Sequence, residues 1–316
     1  MSGERVGRTR HRIQVAAPAG VVYAVLADAA ALPLYFAPSI HVERLDFDGE
    51  REHLLVWSLL EGRLMSCSSW RRLDPVERRI EFRQELPSAP LDAVSGVIAV
   101  RGQGPARTEL DLAFGYSVPR LRAPAAPPRL CADLEGPVHL EGLKNFAERW
   151  TRLDDLVLSF EDSLRIHGPA EPVYGFLHRA GSWPHLVPHV TRVALTEDTP
   201  GVQRMTMQTL TEDGAHTTES VRICFPHAGR IVYKQTSPGR LVAAHTGEWS
   251  LDPDERGVTV TARHRVLLRE EAVTDVLGEG ARLAHARRHV RAALRRHCRA
   301  VLERAARHAA NPVPAP

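Results

Sequence analysis

The 316-residue chain is predicted to be α+β, two tandem copies of one domain in which a curved antiparallel sheet grips a long C-terminal helix. Three observations predict it. The sequence repeats itself at a constant spacing, each copy reads as strand, short helix, meander and helix, and the last helix carries one apolar stripe.

The repeat comes first because it decides domain number. RIQVAAPAGVVYAVL, from Arg12, matches SLRIHGPAEPVYGFL, from Ser163, at a shift of 151. The same shift carries Pro18 to Pro169, Val22 to Val173, Tyr23 to Tyr174, Leu26 to Leu177 and Pro33 to Pro184. Fifty residues on it still takes Ser69 to Ser220, Arg71 to Arg222, Arg79 to Arg230, Ile80 to Ile231, Gln84 to Gln235 and Pro87 to Pro238. Each copy opens on an alternating strand (12–16 and 164–168), which leads through Pro into a brief helix whose apolar pairs, Val22–Leu26 and Val173–Leu177, lie at i, i+4. Turn signals about ten residues apart then mark an antiparallel meander: Asp48-Gly49, Glu61-Gly62 and Asp74-Pro75, and in the second copy Pro200-Gly201 and Asp213-Gly214. Closing helices are expected over 130–153 and 273–308, the second with Val290, Leu294, Cys298, Val301 and Ala305 on one stripe. The domain boundary is placed between 154 and 155, where a new alternating run begins, and Pro-rich 123–130 is read as an intradomain loop.

Composition narrows the function classes. A hydrophobic fraction of 43% with 25% charged residues is that of a globular chain, and no apolar stretch approaches the ~20 residues of a membrane span. The start, MSGERVGRTRHR, has no apolar core of a signal peptide, so the chain is read as cytoplasmic. A net charge of +3 is too small for a nucleic-acid binder, although all but two of the 41 basic residues are arginines. Cys67, Cys131, Cys224 and Cys298 are scattered without a CxxC pair, which indicates neither disulfides nor zinc, and they are read as buried small hydrophobes. No G-x-S-x-G, phosphate-cradling loop or dinucleotide fingerprint is present.

The chemistry concentrates on two strands. Alternation puts Met65, Cys67, Ser69 and Arg71 on one face, against Leu64, Ser66, Ser68 and Trp70; in the second copy His216, Thr218, Ser220 and Arg222 share a face. An arginine among small, hydroxyl-bearing and soft side chains reads as the floor of a polar cavity. Alternation alone leaves equally open a solvated outer face, and the duplication is also compatible with a retained structural salt bridge. His185 and His189 flank Pro188, which breaks helical spacing, and no carboxylate is near in sequence, so no metal site is expected there. His285 and His289 lie amid Arg287, Arg288 and Arg291; with Arg295, Arg296 and Arg299 they form a basic face, either simply solvated or a dock for an acidic carrier protein. Trp57 and Trp249 are strand tryptophans able to stack a flat product or to fill a core.

The stretches SSWRRLDPVERRIEFRQE (68–85) and GSWPHLVPHV (181–190) resemble the signature segments of the polyketide aromatase/cyclase family in its two-domain form, and the resemblance spans almost the whole chain. It implies a helix-grip (START or Bet v 1-like) fold in each copy, no cofactor, and a substrate delivered on an acyl carrier protein with other type II polyketide synthase subunits as transient partners. The family's pocket arginine carries over to Arg71 with Ser69 beside it, and by the repeat to Arg222 and Ser220. Two departures stand out. Cys67 and Met65, and Thr218 and His216, occupy places where aromatic residues are usual, and the Trp-Pro of copy two, Trp183-Pro184, is Leu32-Pro33 in copy one.

A poly-β-ketone already holds acidic methylenes beside electrophilic ketones, so its aldol closure needs folding, enolate stabilisation and proton transfer. Arginine is always charged, so Arg71 and Arg222 are expected to hold an oxyanion rather than to act as bases. Tyr35, Ser69, His185 and His189 are the proton-donor candidates for dehydration by residue type, although core packing competes as the role of Tyr35. Trp57, Met65, Cys67, Trp183, His185, His189, His216 and Thr218 are the expected substrate-lining set. The two-domain family form further implies a ketoreduced substrate closed between C7 and C12. A non-catalytic lipid or polyketide carrier on the same fold is the alternative.

Overall fold

The computed structural model describes residues 4–60, 62–85, 93–119, 138–211 and 214–310. The chain divides into two compact units, 1–153 and 154–316. In the N-terminal unit β1 (Glu4–Val15) is followed by α1 (Ala19–Ala27), α2 (Leu32–Tyr35), and the strands β2 (Ser39–Phe47), β3 (Arg51–Leu60), β4 (Arg63–Asp74), β5 (Arg79–Glu85), β6 (Ala93–Gly104) and β7 (Arg107–Pro119). Then come α3 (Val138–Ala147) and a 3₁₀ turn at Trp150–Arg152, and α4 (Leu153–Leu156) leads into the C-terminal unit, to which its last three residues belong. The C-terminal unit repeats the order: β8 (Val157–Ile166), α5 (Ala170–His178), a 3₁₀ turn at Ala180–His185, then β9 (Val190–Thr199), β10 (Val202–Thr211), β11 (Gly214–Phe225), β12 (Arg230–Ser237), β13 (Val242–Asp254) and β14 (Gly257–Leu268), closed by α6 (Val273–Leu277) and α7 (Leu283–Ala310).

Both sheets are seven-stranded and antiparallel with one topology, β1-β7-β6-β5-β4-β3-β2 and β8-β14-β13-β12-β11-β10-β9. The first strand pairs with the last, so the meander curls back on its start and leaves one concave face for the helices. Prolines 18 and 169 precede α1 and α5 in extended geometry, which their fixed φ favours, and each helix buries an apolar edge: Val22, Tyr23 and Val25; Val173, Phe176 and Leu177. In the C-terminal unit those residues join Trp183, Ile231, Trp249, Val260, Cys298, Val301, Leu302 and Ala305 in one core between sheet and α7. Gly49, Gly62, Gly201 and Gly214 take positive φ at the hairpin ends, as the turn signals require.

The closing helices differ from the expectation. Of the predicted 130–153, residues 130–137, with the Pro-rich loop and Cys131, lie outside the described residues, and the α-helix ends at Ala147 because Arg149 departs from helical geometry. The predicted 273–308 is two helices, since Gly278 and Gly280 both take positive φ between Leu277 and Leu283. Val290, Cys298, Val301 and Ala305 are buried as the stripe demands, whereas Leu294 is half-buried.

Candidate active site

The ambiguity between the two faces of β4 resolves on burial. Ser69 is 2% exposed and Leu73 is buried, whereas Trp70, pointing the other way, is 47% exposed. Arg71 therefore faces the helices. In the C-terminal unit Ser220 and Arg222 are likewise buried. Each guanidinium reaches the end of the first helix of its unit. Arg71 Nη2 donates to the carbonyls of Leu26 (2.9 Å) and Ala27 (3.1 Å); Arg222 Nη2 donates to Leu177 O (2.5 Å) and Nη1 to His178 O (3.5 Å). Those carbonyls belong to last-turn residues of α1 and α5, which have no intrahelical donor, and a cation suits the negative helix end. Burial lowers both guanidinium pKa values, though an arginine remains charged. The repeated arginine thus caps a helix as well as charging the concave face.

One row of cross-strand partners runs through each arginine. In the N-terminal unit it is Glu52, Arg71, Phe82, Gly96 and Phe114; in the C-terminal unit it is Gln203, Arg222, Tyr233, Gly247 and His264. Glu52 is buried and grips two cations, Arg71 Nε at 2.8 Å and Arg44 Nε at 3.0 Å. Gln203 takes its place in the second row; its Nε2 donates to Glu197 Oε2 (2.7 Å) and His178 O (3.2 Å). The C-terminal row then continues polar where the N-terminal row is aromatic hydrocarbon. Tyr233 Oη lies 3.4 Å from His264 Nδ1, His245 Nε2 lies 3.0 Å from the same nitrogen, and His264 Nε2 meets Cys298 Sγ of α7 at 3.1 Å. Gly247 makes this possible: a Cβ there would stand 2.2 Å from Tyr233 Cζ, so the phenol lies flat across the glycine toward His264. A second imidazole pair, His189 Nε2 to His297 Nδ1 at 2.7 Å, lies beside Trp183.

Burial sets the protonation states. It pulls His264 down to about 4 and His297 to about 3, holds His245 well below the usual range, and keeps the Tyr233 phenol well above 10. At neutral pH the cluster holds neutral imidazoles next to an undissociated phenol. One class of group can take a proton, the other can give one.

The remaining predicted residues are placed unevenly. Met65 and Cys67 are half-buried on the face of Arg71, Cys67 against Ala29, Leu54 and Val56. Tyr35, on α2, donates to Val25 O (3.4 Å), packs on Phe146 with ring centres 5.4 Å apart, and is held above its usual pKa by burial, which outweighs the lowering effect of the Arg71 charge. Gly142 lets α3 approach this tyrosine, since a Cβ there would stand 2.1 Å from Tyr35 O. Trp183 is buried with its ring centre 5.9 Å from the Arg222 guanidinium carbon, and Nε1 donates to Phe176 O (3.1 Å). Trp57 pairs with Ser66 and sits on the face opposite Arg71, against His41; register, not residue type, takes it off the concave side. His185 and His216 are exposed, Thr218 is half-buried, and only His189 of the histidine pair reaches the interior. On the basic face Arg287 is already spent on backbone carbonyls of residues 154, 155 and 157, and Arg295 on Asp162 at 2.8 Å. Among the described residues no three His, Cys, Asp or Glu side chains are grouped to hold a metal.

Sequence reasoning missed Glu52, Gln203, Tyr233, His245, His264 and His297. The shift of 151 already aligns Phe82 with Tyr233 and Val94 with His245, a polar gain in one copy. His264 falls opposite Phe114 only at 150, after a one-residue slip, so a gapless comparison hides it.

Known proteins resemble this chain in sequence and fold. Residues 157–310 match the family described as polyketide cyclase/dehydrase and lipid transport. The actinorhodin polyketide synthase bifunctional cyclase/dehydratase of Streptomyces coelicolor is 38% identical over 299 residues, covering 91% of this chain and 92% of that protein. The chain belongs to the two-domain polyketide aromatase/cyclase family. Two crystal structures of di-domain aromatase/cyclases agree: BexL, of the BE-7585A pathway, at TM-score 0.86 and 37% identity, covering 98% of this chain and all of BexL, and StfQ, of the steffimycin pathway, at TM-score 0.83 and 32%, covering 95% and 98%. This aromatase/cyclase is accordingly an enzyme of polyketide biosynthesis with cyclase/dehydratase activity, on two tandem helix-grip domains.

Proposed function

We propose that the enzyme closes the first ring of a ketoreduced poly-β-ketone between C7 and C12, while the chain is held on an acyl carrier protein in the cytoplasm, and then dehydrates that ring to an aromatic one without a cofactor. The observation that carries this reading is the concave row of the C-terminal unit, with a buried cation, a phenol and a neutral imidazole pair in succession. A neutral imidazole, His264 backed by His245, removes a methylene proton. The resulting enolate carbon attacks the ketone, and the Arg222 charge stabilises the oxyanion in a site shielded from water. His264 gives the abstracted proton to that oxyanion and is neutral again. Tyr233 then donates a proton to the departing hydroxyl while His264 takes the proton from the adjacent carbon. His264 returns it to the Tyr233 phenolate 3.4 Å away once water has left, so that both groups meet the second dehydration as they began. Loss of two waters, one from the aldol alcohol and one from the reduced carbinol, with enolisation of the remaining ketone, leaves a phenol. Ser220 lies one step along β11 from Arg222 on the same face, and Thr218, His216, Trp183, His185 and His189 are the substrate-lining residues of this reading. Arg71, Ser69 and Tyr35, with Met65 and Cys67, form the matching site of the N-terminal unit, where the arginine charge is balanced by Glu52.

Reconstitution with a minimal polyketide synthase and a ketoreductase tests the reading. Arg222→Ala should lower formation of the closed ring by ~100-fold or more, and His264→Phe and Tyr233→Phe, which install residues of copy one, by at least ~100-fold. If omitting the protein left the first ring unaltered, a carrier function would replace the enzymatic one.

A further inference from the structure

We infer that Gln203 and Tyr174, beside Arg222, form a subsite that reads the hydroxyl of a secondary alcohol on the polyketide chain. The inference rests on the function proposed above and names the chemical group that the C-terminal unit selects. Gln203 is 1% exposed, and its amide orientation is fixed by two acceptor oxygens, Glu197 Oε2 and His178 O, both facing Nε2. Its Oε1 is therefore a buried acceptor, and it has no hydrogen-bond partner among the described residues. The Tyr174 Oη is a second buried polar atom without a hydrogen-bond partner among the described residues. The two belong to one place. Gln203 is the cross-strand neighbour of Arg222, Tyr174 feels the Arg222 charge from α5, and His178, four residues beyond Tyr174, stacks on it at 6.0 Å while touching Gln203.

Buried polar atoms left unmet are costly, so their pattern describes the missing partner. Gln203 Oε1 requires a donor, and the Tyr174 hydroxyl is free to donate. A ketone supplies only an acceptor and leaves the amide oxygen stranded. An alcohol supplies both, donating to Gln203 and accepting from Tyr174. The N-terminal unit cannot read a hydroxyl this way, because Glu52 stands at the place of Gln203 and its carboxylate is engaged by Arg71 and Arg44.

The test compares reduced and unreduced chains, made by a minimal synthase with and without ketoreductase, as the ratio of closed, dehydrated ring formed from each. Tyr174→Phe removes a hydroxyl with no hydrogen-bond partner among the described residues, so the fold should persist, and the ratio should fall about tenfold. Gln203→Leu should lower it by a similar factor. A wild-type ratio in both variants, or equal losses with both chains, overturns the subsite. If omission of the protein still abolishes ring closure in that case, the proposed function stands and the subsite alone falls; if omission changes nothing, the function falls with it.

Discussion

The two concave rows start alike and end differently. Each carries an arginine, half-buried in the first and buried in the second, that caps the first helix of its unit, and each passes over a glycine, yet the N-terminal row is Glu52, Arg71, Phe82, Gly96, Phe114 and the C-terminal row is Gln203, Arg222, Tyr233, Gly247, His264. In the first, charge is cancelled at source and the rest is hydrocarbon. In the second the cation has no carboxylate in hydrogen-bonding contact among the described residues, and the proton-transfer groups follow it. The capping role accounts for the shared arginine, and the chemistry proposed for the C-terminal row would use the divergence beyond it. Duplication preserved what holds the helix and freed the remainder of the row.

The largest expected effect lies in the charge pairing. Glu52→Gln gives the N-terminal row the amide of the C-terminal one, but leaves Arg71 and Arg44 without their buried counter-charge, and should cost about 3–5 kcal/mol. Arg222→Met strands no carboxylate; it forfeits two helix-end hydrogen bonds, about 1–3 kcal/mol, and is relieved of a buried charge. Hydrogen exchange resolved by unit measures both in the intact chain, where a single unfolding transition is not assured. Equal losses would show that the two arginines are held in the same way.

Next in size is a difference in acid sensitivity. His264, with a folded pKa of about 4, and His297, about 3, titrate near 6.5 once unfolded, and His245 is shifted in the same direction. As pH falls below 6.5 the unfolded state takes up protons that the folded C-terminal unit refuses. Stability is therefore full above 6.5 and declines toward pH 4, by on the order of 2–3 kcal/mol for His264 alone. The positions of the N-terminal unit that correspond to His245 and His264, Val94 and Phe114, do not titrate. Exchange protection corrected for intrinsic rates should fall between pH 6.5 and 4 in the C-terminal unit first, and His264→Phe should blunt that fall. Parallel decline of both units would remove the distinction.

Much of the fold was written in period and spacing. The repeat, the Pro-led helices and the glycine turns are local properties, so they can be read without coordinates, as the positive φ of Gly49, Gly62, Gly201 and Gly214 illustrates. The functional row is not local. It is assembled from five strands, and its members are separated by up to sixty residues whose register no single segment encodes. Arg71 and Arg222 stand out in the sequence because both copies keep them, whereas only residue type points to Trp57 and register puts it on the far face. Helix breaks at Gly278 and Gly280 carried a sequence signal that a long apolar stripe outweighed.

The smallest effect concerns the convex side of the same strands. Asp111 of β7 faces Arg10, Arg12 (3.4 Å) and Arg101 (2.9 Å), and the hydrogen bond from Arg10 leads in holding its pKa below the usual carboxylate range. The equivalent pair in the C-terminal unit is uncharged, Thr261 with Ser163 at 2.9 Å. All three arginines are about half-exposed, so water screens most of the attraction. Asp111→Asn should cost no more than ~1 kcal/mol and less in high salt. The carboxyl pKa is depressed on folding, so the contribution is present above the unfolded value near 3.9 and lost as pH falls through the lower folded one. The Asp111 contribution is thus lost only in stronger acid than the pH 6.5 at which protonation of the unfolded histidines begins to weaken the C-terminal unit, and exchange protection of the wild type and Asp111→Asn at pH 5 and pH 3 should separate the two. A loss for Asp111→Asn as large as that for Glu52→Gln would mean that exposure does not distinguish the two faces of this sheet.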